Sequence, residues 1–158
     1  MYDVTTKTVP AQSLLQIRAQ APLEEVSGAV VDAFRELNTA LAGESLVPSG
    51  PSFFACYGTG EQDLYDLTMA YPIPEGARPR LGGRLELGQV PERQVAATLH
   101  AGPYTGLGGA YDAVTLWVAE HGLGTTGNTA EVYLLDYTRT DDSEALRTEV
   151  QLELSPGA

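Results

Sequence analysis

One relation within the 158-residue chain limits its possible folds more than any other: it resembles itself at a shift of 81 residues. Pro10 falls on Pro91, Pro22 on Pro103, Gly28-Ala29 on Gly109-Ala110, and Gly43 on Gly124. The apolar alternation of Met69 and Tyr71 falls on Val150 and Leu152. Chance supplies one or two such pairs, but this many in unchanged register point to a duplication. A unit of this size cannot bury a sheet face and a helix face alone, so the two copies are expected to share one core. The chain therefore reads as a single domain, residues 1–158, with half-repeats of about 1–80 and 81–158.

Each half has the pattern β-α-β-β. Val4 to Gln20 reads as a long strand with Leu15, Ile17 and Ala19 on one face, and Pro10 marks an edge, a bulge or a break. Pro22 stands at a helix start. From Leu23 to Ala42, Val26, Val30, Ala33, Phe34, Leu37 and Leu41 recur at spacings of three and four, which predicts an amphipathic helix stopped by Gly43. Phe53 to Tyr57 and Asp63 to Ile73 read as a hairpin turned at Gly58-Thr59-Gly60.

In the second half, Gly83 to Leu87 and Arg93 to Leu99 are strands separated by Pro91. Pro103 opens a helix from about Tyr104 to His121, with Leu107, Tyr111, Val114 and Val118 on one face. Glu131 to Tyr137 and Leu146 to Leu154 make the closing hairpin. In the last strand Val150, Leu152 and Leu154 point inward and Glu149, Gln151 and Glu153 outward. The expected fold is α+β with pseudo-two-fold symmetry, antiparallel sheets, two main helices and a central groove. Such grooves are common sites for small molecules.

The formal net charge of −12 argues against direct contact with nucleic acid or anionic membranes, and would mildly enrich cationic solutes near the surface. No apolar run is long enough to span a bilayer, and the N-terminus lacks a basic-then-apolar signal pattern, so a cytoplasmic location is expected. Cys56 is the sole cysteine, which rules out an internal disulfide and agrees with a reducing compartment. Cys56, His100 and His121 are too few and too scattered for a metal site, and no metal or other cofactor is expected. His121 has a simpler role as a cation near a helix C-terminus. There is no G-x-S-x-G element. Gly106-Leu107-Gly108-Gly109 lacks the Walker lysine and lies within the first turns of a helix, so phosphate binding there is poorly supported.

The candidate chemistry centres on Glu131-Val132-Tyr133-Leu134-Leu135-Asp136-Tyr137. The turn-forming Gly127-Asn128 lies just upstream, and strand alternation puts Glu131, Tyr133, Leu135 and Tyr137 on one face. An unpaired buried carboxylate is costly, so Glu131 either sits at a strand end in water or lines a cavity that expects a partner. Phe54, Tyr57, Tyr71, Tyr104, Tyr111, Trp117 and Tyr133 fall on elements expected at or near the groove. Tyr111 and Phe54 read as core aromatics, whereas Trp117 and the other tyrosines carry polar tips that need partners if buried. Aromatic faces around one carboxylate would suit a lipophilic cation.

The segment His100-Ala101-Gly102-Pro103-Tyr104, a helix carrying Trp117, and then Glu131-Val132-Tyr133-Leu134-Leu135-Asp136 resemble the GyrI-like small-molecule-binding domain. That is also the effector-binding domain of multidrug-sensing transcription regulators. The resemblance covers nearly the whole chain. It implies a ligand pocket with Glu131 at its floor and Tyr133, Tyr104, Trp117, Tyr57 and Tyr71 as walls; Phe54, from the wider aromatic set, is counted with them as a ligand-binding candidate. The family often has Asp-Pro where this chain has Asp136-Tyr137, so a different local turn is expected. No helix-turn-helix precedes Val4, so the chain is not expected to regulate transcription by itself.

Three functions follow from the resemblance. The first is a stand-alone protein that binds hydrophobic or cationic aromatic compounds, for drug sensing or sequestration. The second is a hydrolase opening cyclopropane rings in DNA-alkylating compounds, with Glu131 as general base toward water and Tyr133 or Tyr104 donating to the developing oxyanion. The third is a protein-partner role such as gyrase inhibition, for which no concentrated acidic strip is present beyond Asp141, Asp142 and Glu144.

Overall fold

The structure, a computed structural model, describes residues 1–59 and 63–157. The expected turn at Gly58-Thr59-Gly60 includes Gly60, which lies outside the described residues. Eight strands and two main helices alternate as β1 (Val4–Val9), β2 (Gln12–Ala21), α1 (Val26–Glu44), β3 (Phe53–Thr59), β4 (Tyr65–Ile73), β5 (Glu86–Val90), β6 (Arg93–Ala101), α2 (Leu107–Glu120), β7 (Thr125–Leu135) and β8 (Arg147–Leu154). Strands pair antiparallel among the described residues, and the class is α+β.

The chain divides into two units. Ala11–Pro91 forms one, with strands in the order β3-β4-β2-β5. Met1–Pro10 joins Glu92–Ala158 in the other, ordered β1-β6-β8-β7. The long first strand is thus broken at Pro10, as Pro91 breaks its repeat. The break has a consequence that periodicity could not show. β1 pairs with β6 (Lys7 opposite Val95), while β5, its repeat-mate, pairs with β2 (Leu87 opposite Leu15). Each unit therefore takes its first strand from the other sequence half.

In the Ala11–Pro91 unit, α1 buries Ala33, Phe34, Leu37 and Leu41, the stripe expected from its spacing. The sheet contributes Leu15, Ile17, Leu67 and Met69, all within 1% of full burial. Gly43 does not stop this helix. It lies within the last turn, and Ser45 caps the end in the left-handed conformation at φ 50°. Its amide reaches the Ala42 carbonyl, and the Leu46 amide closes back on Leu41. α2, with 14 residues against 19, ends before the position matching Gly43, so the repeat's helix ends do not correspond.

In the other unit, α2 buries Leu107, Ala110, Val114 and Val118 against Ala96, Val150 and Leu154. The closing hairpin departs from expectation in two places. Gly127-Asn128 is no turn but a bulge inside β7, where the register shifts between Thr125 and Thr129. Gly127 takes φ 84°, and the Thr126 hydroxyl and Asn128 amide both donate to Glu153 Oε2, at 2.7 and 2.9 Å. Gln151 keeps the face opposite α2 that alternation gives it, with Glu149, to which its amide donates, but it is buried there at 4% exposure beside its cross-strand neighbours Ala97 and Ala130.

Among the described residues, no helix is long and apolar enough to cross a membrane, and no group of three or more His, Cys, Asp or Glu is placed to hold a metal.

Candidate functional site

Directly paired residues of an antiparallel ladder project to the same face. Glu131 is paired with Val150, and Tyr133 with Thr148. Val150 belongs to the cluster beneath α2, so Glu131 and Tyr133 also project toward that helix. Glu131 is mid-strand and half-buried, not at a strand end in water. The Tyr133 hydroxyl donates to its Oε1 at 2.9 Å. The Tyr111 hydroxyl, from the second turn of α2, donates to its Oε2 at 2.5 Å. Tyr104, in the 3-10 turn ahead of α2, meets the Tyr133 ring edge-on with centroids 5.8 Å apart. Among the described residues no basic side chain pairs with Glu131.

Tyr111 packs against the α2 cluster as a core aromatic should, but its hydroxyl also reaches Glu131, a contact that sequence reasoning did not assign. The available signal was its spacing from Tyr104, seven positions along one helical face, which stacks the two on the same side two turns apart.

Tyr133 and Tyr104 are both held neutral. Burial pushes the Tyr133 phenol well above its usual value, and the Glu131 charge and hydrogen bond add to this. Tyr104 is pushed up to about 12, first by burial and then by the charge of Asp136, against a hydrogen bond from the Tyr137 backbone that opposes the rise. A raised phenol pKa contributes stability that is complete below the unfolded value near 10 and is lost as pH climbs through the folded value. Stability is therefore expected to fall above about pH 10. In a tyrosinate absorbance titration, Tyr104→Phe and Tyr133→Phe should each remove amplitude from the phase above about pH 11. Loss of amplitude near pH 10 instead would show ordinary exposed phenols.

Thr148, fully buried beside Tyr133, has a hydroxyl without a partner among the described residues. Its other sheet neighbour, His100, is pinned. The Pro103 carbonyl can only accept, so His100 Nε2 donates to it at 2.8 Å. In the neutral ring Nδ1 then accepts from the Tyr2 hydroxyl, also at 2.8 Å.

This arrangement explains the glycine run that looked like a phosphate loop. A Cβ on Gly106 would lie 2.9 Å from His100 Cε1, and one on Gly109 would press on Tyr2 at 3.4 Å, whereas Gly108 faces open space. Gly106→Ala is expected to cost about 1–3 kcal/mol in urea denaturation through overpacking. Gly108→Ala should be neutral or stabilising by up to about 1 kcal/mol, since alanine is the better helix former. Equal effects would sink the packing account.

The remaining candidates lie elsewhere in the two units. Trp117 packs beside the α2 cluster and stacks on His121 at 3.9 Å, while His121 Nδ1 donates to the Trp117 carbonyl at the helix end. Tyr71 donates to Asn38 at 2.5 Å and meets Phe34 edge-on, within the Ala11–Pro91 unit. Tyr57, in the same unit, is exposed and borders an open polar cavity. Phe54 is a core residue there, paired with Met69. Met69 is the repeat equivalent of Val150, so Phe54 occupies in its unit the ladder position that Glu131 occupies in the other. Duplication placed an apolar ring and a carboxylate at matched positions, and only the carboxylate acquired tyrosine donors.

The GyrI-like small molecule binding domain family matches residues 2–155. No curated protein matches the chain in sequence. In structure it is similar to EcmrR in a complex with DNA, with a TM-score of 0.78 and 20% identity; the likeness covers 98% of this chain but 57% of that one. With the isolated EcmrR C-terminal domain the TM-score is 0.73 at 20% identity, covering 98% of both chains. SAV2435 bound to tetraphenylphosphonium gives a TM-score of 0.70 at 10% identity, covering 98% of this chain and 94% of that one. A hydrolase from Listeria innocua gives 0.65 at 14% identity, covering 96% and 91%. At these identities the likenesses concern the fold.

Proposed function

The chain belongs to the GyrI-like small molecule binding domain family, and we propose that it captures hydrophobic aromatic cations at Glu131, in drug sensing or sequestration. One observation carries this reading: both oxygens of a half-buried carboxylate are held by tyrosine hydroxyls, and no basic side chain among the described residues neutralises it. The donors orient the carboxylate before any ligand arrives, which lowers the ordering cost of binding. Neutral tyrosine rings add faces worth about 0.5–2 kcal/mol each to a desolvated cation. A ligand cation would also relieve the cost of the half-buried charge. The fold's likeness to SAV2435 bound to tetraphenylphosphonium supports the ligand class, as does the net charge of −12.

Trp117, the sole tryptophan, lies on the same helix as Tyr111 and serves as reporter. Titration with tetraphenylphosphonium is expected to quench its fluorescence saturably, and a neutral aromatic of similar size should quench far less. No saturable response to tetraphenylphosphonium or any other lipophilic cation would refute the proposal.

A second reading rests on the Tyr133 phenol, which stays protonated at 2.9 Å from Glu131. The same pair could act on a cyclopropane ring conjugated to a carbonyl: Glu131 takes a proton from water as its oxygen bonds to a ring carbon, the ring C–C bond breaks, and its electron pair passes to the carbonyl oxygen, to which a tyrosine donates as the oxyanion develops. The fold's likeness to a hydrolase agrees with it. Hydrolysed product that forms with native protein and disappears in Glu131→Gln would favour this reading over passive capture.

A further inference from the structure

The Ala11–Pro91 unit carries a second concavity, of different chemistry. Gln16, Arg18 and Gln20 alternate along β2 on the face turned away from Leu15 and Ile17, and so from α1. The antiparallel register sets Glu86 of β5 directly opposite Gln16, and Asp66 of β4 directly opposite Gln20. These side chains line an open cavity of about 800 Å³.

The polar groups divide between the two neighbouring strands. On the β5 side Gln16 Nε2 donates to Glu86 Oε1 at 3.0 Å, and Arg18 clamps the same carboxylate through Nε and, at 3.4 Å, through Nη2. On the β4 side Gln20 Nε2 donates to Asp66 Oδ1 at 2.6 Å. Arg18 lies diagonal to Asp66 in the ladder, a spacing that a long side chain can cross, yet it is turned to the opposite strand. Arg84, the other cation of the lining, gives Nε and Nη2 to Glu36, outside the cavity, at 3.2 and 3.1 Å.

The charges of the lining therefore do not balance. Arg18 offsets Glu86 and Arg84 offsets Glu36, which leaves Asp66 held by a neutral amide alone. Among the described residues no basic side chain pairs with it. The groups beside Asp66 add acceptors. An amide that gives its N–H to a carboxylate turns its carbonyl oxygen the other way, so Gln20 and Gln16 each present an oxygen. An ammonium group carries three N–H donors and no acceptor, which matches this set. A metal ion fits it poorly, because no group of three or more His, Cys, Asp or Glu gathers there among the described residues. The lining is largely polar, unlike the tyrosines around Glu131, so the cation it suits is hydrophilic.

We propose that this cavity binds a hydrophilic alkylammonium of the polyamine class, with one ammonium group seated on Asp66 and the Gln20 amide oxygen. The field of a chain with net charge −12 acts on the remaining charges of a polyamine. The site is separate from Glu131 in residues and in ligand class, and it stands whether or not Glu131 captures aromatic cations.

The test is a ¹H–¹⁵N titration of the side-chain amides with spermidine up to about 10 mM, the affinity range of an open site with one carboxylate. The Gln20 amide is expected to shift saturably, while Gln94 and Gln151, in the other unit, stay still. Asp66→Asn, which keeps an oxygen for the Gln20 amide, should weaken binding at least about fivefold without moving the thermal midpoint. Glu92→Gln, an equal charge change in the other unit, should weaken it less than about twofold. Arg18→Gln should strengthen it about two- to fivefold, because it frees Glu86 and removes a repelling charge. The proposal is overturned by the absence of a saturable Gln20 shift, by native affinity in Asp66→Asn, or by equal losses in Asp66→Asn and Glu92→Gln. Weaker binding in Arg18→Gln would overturn it, as would larger saturable Gln20 shifts with magnesium chloride, maltose or tetraphenylphosphonium at the same concentration.

Discussion

Glu131→Gln is expected to weaken tetraphenylphosphonium capture by roughly 10- to 100-fold, equivalent to about 1.4–2.8 kcal/mol. That is the scale of a charge-assisted contact in a partly desolvated site. The substitution keeps the shape and one acceptor, so one of the Tyr111 and Tyr133 hydroxyls keeps its partner. Binding of neutral aromatics should change little. Glu92→Gln is the control, since Glu92 is exposed and its loss changes the net charge by the same amount. An equal loss in both variants would trace binding to the general acidity of the chain, and no loss in either would free Glu131 for the hydrolytic reading.

The second large effect concerns the core. Leu37→Ala is expected to lower stability by about 2–5 kcal/mol, because Leu37 is fully buried where α1 packs on β2 and β4, and truncation leaves a cavity there. Val31→Ala, on the exposed side of the same helix, should stay within about 0.5 kcal/mol. Urea denaturation with an unchanged slope checks both. A loss below about 1 kcal/mol for Leu37 would mean that α1 is not seated on the sheet as described.

Much of the fold was legible in periodicity, and its errors are instructive. The helical stripes at Ala33, Phe34, Leu37 and Leu41, and at Leu107, Val114 and Val118, are buried as their spacing predicts. The failures fall where the backbone departs from a regular period. Gly43 gave a stop signal, yet the helix ran on to Glu44 and was capped by Ser45; Gly127-Asn128 signalled a turn, yet formed a bulge held by Glu153. In both cases glycine permitted a conformation without requiring it, and bonds to residues distant in sequence or in the next turn chose the outcome.

The candidate site divides along the same line. Alternation along one strand was enough to place Glu131 and Tyr133 on one face, because that depends only on neighbours two residues apart. Bringing Tyr111 onto the second carboxylate oxygen, on a residue 20 positions away, required α2 to lie over β6 and β8. Sequence alone determined the duplication, the α+β class, the strand carrying the carboxylate and the helix faces that bury. Tertiary structure alone decided the exchange of β1 and β5, the burial of Gln151, the pinning of His100 by Tyr2 and Pro103, and the two tyrosines that hold Glu131. Local periodicity records which way a side chain faces. Which group it meets is set by the packing of whole elements, and no short-range pattern encodes that.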